Sequence, residues 1–75
     1  MRPRTFDLVR SEDPSGVSGT GVVAQGVEFG DGQIALQWRN PNPDFVAVAI
    51  WPGVDAMLSV HGHGGLTVVR WHDAA

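Results

Sequence analysis

His61-Gly62-His63 places two imidazoles on a glycine-flanked segment, and His72-Asp73 stands near the end of the chain. Three histidines and a carboxylate would satisfy the four-ligand preference of a structural zinc site. The spacing is not diagnostic, because H-x-H without cysteine or a second recurring ligand pair fits a surface loop equally well. Glycine there permits positive φ, and one histidine would tie the loop to a neighbouring carbonyl. The loop reading is preferred and no cofactor is expected, with His61, His63 and His72 forming the metal alternative.

Nucleophilic chemistry would need a hydroxyl beside a base, and the sequence offers Ser59 near His61, and Ser15 and Ser18 near Asp13. None sits in a G-x-S-x-G elbow. The eight carboxylates are scattered, so no glycosidase-like pair stands out. A chain this short rarely encloses a ligand pocket of about 300–1,000 Å³. The expectation is a non-enzymatic protein. Gly19-Thr20-Gly21-Val22-Val23-Ala24 fits the G-x-G-x-x-G/A dinucleotide fingerprint, and Asp44 lies about 20 positions further on. Immediately after it come Gln25-Gly26-Val27-Glu28-Phe29 and then Gly30-Asp31-Gly32, a strand entering a turn. The motif needs a helix whose N-terminus holds a pyrophosphate. The glycines are therefore read as marking bends and loops. The same segment from Ser15 to Gly21 lacks the lysine and helix of a P-loop.

At 75 residues the chain is read as a single β domain, 1–75, with tails at 1–4 and 74–75. Folding a chain of this size removes only about 60% of the exposed surface. There is no cysteine, so a disulfide staple is excluded and close packing or a partner must stabilise it. The basic start Met1-Arg2-Pro3-Arg4-Thr5 has no apolar run behind it, so no secretory signal is expected, and no stretch has the 18 apolar residues of a span. A cytoplasmic location is the resulting expectation. The net charge of −3, with arginines dispersed at 2, 4, 10, 39 and 70, argues against a nucleic-acid footprint.

The elements that must position these groups are short. Phe6 to Arg10 roughly alternates apolar and polar residues, the period of a half-buried strand. Ser11 to Ser18 is a turn-rich loop. Val22, Val23, Val27 and Phe29 mark a second strand, in which Gly21 and Gly26 suggest a bulge or bend. Asp31-Gly32 before Ile34-Ala35-Leu36-Gln37-Trp38 is a strong hairpin signal. After the proline loop from Asn40 to Asp44, the apolar run Phe45 to Trp51 reads as a strand buried on both faces or covered by a partner. Val54 to Val60 has room for one or two helical turns. His61 to Gly65 reads as a flexible loop and Leu66 to Trp71 as the last strand. The fold class is all-β: a small five-stranded SH3-like barrel or half-open sandwich, with one short helical turn before the last strand.

Ser15-Gly16-Val17-Ser18-Gly19-Thr20-Gly21, Gly30-Asp31-Gly32 before Leu36-Gln37-Trp38, and Val60-His61-Gly62-His63-Gly64 form a pattern across Phe6 to Trp71. It resembles small proteins of actinobacteria and their phages that have no assigned function. The resemblance implies a small stand-alone protein and carries no activity.

Trp38, Trp51 and Trp71 fall at strand ends, and at least two of them are expected to pack the core. A tryptophan beside arginine is also hot-spot material. The reading is a protein-interaction module, phage-encoded or accessory, that binds a protein partner or itself as a homodimer. The candidate contact residues are Trp38, Arg39, Phe45, Val46, Val48, Ile50 and Trp51. An edge position for the Phe45–Trp51 run would expose surface that a monomer rarely tolerates. The alternatives are a metal or small-ligand protein centred on the histidines, and a virion structural component. No nucleic-acid or membrane partner is expected.

Overall fold

In the computed structural model, residues 2–12, 20–39 and 47–72 are described. Five strands form one antiparallel sheet: β1 (Arg4–Arg10), β2 (Gly21–Glu28), β3 (Ile34–Trp38), β4 (Val48–Trp51) and β5 (Thr67–Trp71). Their spatial order is β4-β3-β2-β1-β5, so β1 lies inside the sheet between β2 and β5. The two edge strands β4 and β5 are linked in sequence by helix α1 (Val54–His61) and a 3₁₀ turn (His63–Gly65). That connection lays α1 across one face.

Alternation decides which side chains that face receives. Phe6 and Leu8 of β1, and Ile34 and Leu36 of β3, point to the α1 side and form the core with Met57 of α1. Trp38, Trp51, Val69 and Trp71 pack around it. Residues of opposite parity face away and lie uncovered among the described residues. Arg10 ends the covered face of β1, where it is 3% exposed and its Nε donates to Thr67 Oγ1 at 2.9 Å.

The β2–β3 hairpin follows from its sequence. Gly32 N donates to Phe29 O at 2.9 Å and Phe29 N to Gln33 O at 2.8 Å. Gly32 adopts φ 91°, the left-handed value that a three-residue loop of this kind requires. Asp31 braces the turn by accepting from Gln33 N at 3.0 Å and from Gln33 Nε2 at 2.7 Å. These bonds hold its carboxyl below the usual range.

The glycine-rich segment resolves as expected into a strand. β2 starts at Gly21 (φ 79°), and its pairing with β1 skips Val23, because Leu8 faces Ala24 while Val9 faces Val22. This bulge turns Val23 and Ala24 both inward. Gly26 has a different role from a bend: the Phe6 ring lies where its Cβ would be.

Some boundaries differ from the sequence reading. Arg4 belongs to β1 and not to a tail; it pairs with Glu28 at 2.8 Å and its guanidinium lies 3.6 Å over the Trp71 ring. β4 begins at Val48, and Phe45 and Val46 lie outside the described residues, as do residues 13–19 of the early loop. His61 is not in a loop. It closes α1, because its ring packs edge-to-face on Trp38 and Trp51, with centroids 4.8 Å and 5.3 Å away. Gly62 then fits tightly on the Leu58 carbonyl.

Candidate functional site on the open sheet face

Strand register lines up the uncovered side chains in rows. Arg70, Asp7, Gln25, Gln37 and Val48 are successive cross-strand neighbours from β5 to β4. Beside them runs a second row, Thr5, Val27, Ala35 and Ile50. His72 extends that row past β5, since its backbone N donates to Thr5 O at 3.0 Å. The face is thus polar toward β1 and β5 and apolar toward β4. A concavity of about 410 Å³ crosses it, lined among others by Thr5, Gln25, Gln37, Val48 and His72. The volume falls within the range of ligand sites, which an open sheet achieves without the enclosure a short chain lacks.

At its polar end four side chains form a relay. His72 Nε2 lies 2.9 Å from Asp7 Oδ1, and His72 Nδ1 lies 2.8 Å from the Thr5 hydroxyl. Arg70 donates to the other Asp7 oxygen at 2.7 Å. Asp7 is lowered below its ordinary value, first by the Arg70 hydrogen bond, with the His72 bond and both charges assisting against partial desolvation. The carboxylate is therefore ionised and can only accept, so whenever the imidazole is in its neutral form its proton sits on Nε2. Nδ1 is then the free acceptor that receives the Thr5 proton.

A hydroxyl, an imidazole and a carboxylate in hydrogen-bonded series are the parts of an activated nucleophile. In such a series an imidazole can accept a proton from a hydroxyl, while a carboxylate on its other nitrogen orients the ring and stabilises the imidazolium. Arg70 moderates this by sharing the Asp7 charge while holding the carboxylate in position.

The histidines singled out in the sequence are not brought together. His61 lies on the α1 side against the tryptophans, with its pKa lowered chiefly by burial and further by the positive charges of His63 and Arg10. His63 is exposed at φ 48°, and His72 belongs to the opposite face. Among the described residues no group of three or more His, Cys, Asp or Glu is placed to hold a metal ion, and Asp73 lies outside them. The Ser59 hydroxyl donates to its own helix, at Ala56 O, 2.6 Å.

The candidate contact residues divide between the faces. Trp38 and Trp51 pack on the covered side with His61, whereas Val48 and Ile50 stand out on the open face, 58% and 64% exposed. Trp38 and Arg39 also line a second concavity, about 340 Å³, which shares Gln25 and Gln37 with the first. Sequence reasoning missed Thr5, Asp7 and Arg70. Their signal was present as T-x-D in the first strand and R-x-H in the last, but joining them requires knowing that β1 pairs with β5.

The fold and site define a small, open-faced antiparallel β protein with a polar relay on its free face. Residues 3–73 match the family described as Acb5 phage protein, and the chain belongs to that family. No curated protein and no solved structure matches it. No helix among the described residues is long and apolar enough to cross a membrane.

Proposed function

We propose that the open sheet face is a small-ligand site with hydrolytic chemistry, in which His72 is the general base and Thr5 or a water is the nucleophile. The observation that carries this is the Thr5–His72–Asp7 series, whose Thr5 and His72 line the larger concavity. Gln25 and Gln37, directly paired across β2 and β3, offer two amides to a polar substrate, and Val48 and Ala35 offer it an apolar wall. The test is a panel of chromogenic carboxylic and phosphoric esters turned over by the wild-type chain and by His72→Gln. Turnover that His72→Gln removes supports the reading, and equal rates for both proteins contradict it.

A second reading is association with a protein, another chain or a copy of this one, through β4. It is favoured by the edge position of a strand that carries Val48 and Ile50 exposed and no charge. Light scattering across a concentration series tests it: the wild type associates and Ile50→Lys does not. Either activity suits a phage accessory protein acting in the cytoplasm.

A further inference from the structure

Among the described residues nothing pairs with the outer side of β4, the last strand of the sheet. Edge strands are ordinarily blunted by charge, proline or a bulge. The other edge, β5, carries Arg70, whose side chain is 60% exposed and held by Asp7. β4 reads Val48-Ala49-Ile50-Trp51; it is short, a protection in itself, but carries no charge, proline or bulge. Its register with β3 runs without a break over all four residues, so the edge is straight as well as uncharged.

We infer that β4 pairs with β4 of a second copy, antiparallel, about a two-fold axis at Ala49. This rests on the association reading above and specifies its occupant. The sequence of the edge is self-complementary about that axis. Val48 of each copy falls opposite Ile50 of the other on the open face, giving two apolar cross-strand pairs, and no charged residue of β4 meets its own image. The five-stranded sheets join into one of ten strands. Both grooves then lie on the same side, each with its apolar end at the junction, because Val48 lines the groove and stands at the edge. A four-residue strand covers less than the roughly 1,600 Å² of a standard interface, so the pairing is a weak, reversible one.

The chain has no cysteine, which makes directed crosslinking clean. Full-length Val48→Cys and Ile50→Cys chains, both altered at exposed positions, are oxidised separately and as an equimolar mixture. The mixture is expected to yield several-fold more disulfide dimer than either chain alone, and Val68→Cys on β5 to yield little. Association without that preference for the mixed product overturns the Ala49-centred pair while leaving the association reading in place. A chain that stays monomeric at high micromolar concentration overturns the pairing and the self-association form of that reading together.

Discussion

His72 and His61 illustrate how surroundings assign one residue type two roles. His72 stands between a hydroxyl and a carboxylate on the open face, where its proton position is dictated. Replacing it with glutamine keeps polarity and removes the base, so kcat/KM is expected to fall by about 10²–10⁴-fold, the usual contribution of a general base. His61 is packed between aromatic rings, and burial makes its charged form costly. The unfolded chain takes up that proton near 6.5 while the folded chain resists it. Stability from this residue is therefore complete above 6.5 and falls as pH drops through that value toward the lowered folded one. His61→Phe retains the ring contacts and is expected to flatten this dependence in thermal melts. Asp7 has linkage of the same sign in a lower pH window: its depressed folded value gives stability that is present above about 3.8 and lost as pH falls through the folded value. Asp7→Asn should remove that acid limb.

Within the strands, small and buried polar groups set the limits. Gly26 cannot gain a Cβ without displacing the Phe6 ring, so Gly26→Ala is expected to destabilise by about 1–3 kcal/mol. Phe6→Leu in the same chain should recover part of the loss in a denaturant titration, whereas purely conformational damage would not be rescued. Thr67→Val removes the hydroxyl that accepts from buried Arg10 Nε at 2.9 Å. The expected loss in the same titration is about 1–3 kcal/mol, the usual cost of taking a partner from a desolvated donor. Element order was legible from local signals: alternation in β1, Asp31-Gly32 at the hairpin, and the apolar cluster of α1. Pairing of β1 with β5 was not, because it joins residues more than sixty positions apart, such as Asp7 and Arg70. The site depends on that pairing, and this is why T-x-D and R-x-H looked like ordinary strand surface. The end of α1 was misread for a similar reason, since Trp38 and Trp51 draw His61 into the helix through contacts distant in sequence.

Among the described residues, the core lies on one face of the sheet, beneath α1. Seven apolar side chains are buried among the described residues, all contributed by the α1 side of the sheet or by α1 itself, with Val23 turned in by the bulge. The other face carries, among the described residues, the relay, two paired glutamines and an apolar end at β4. On the proposed hydrolytic reading, substitutions at Gln25 or Gln37 are expected to change substrate affinity with little effect on melting temperature. On the proposed reading the relay performs general-base hydrolysis. It is tested most directly by comparing ester turnover of folded wild type and folded His72→Gln across neutral pH. The expected result is a loss of kcat/KM of at least about 10²-fold in the variant. Identical turnover in the two proteins, or none in either across the ester panel, would contradict it.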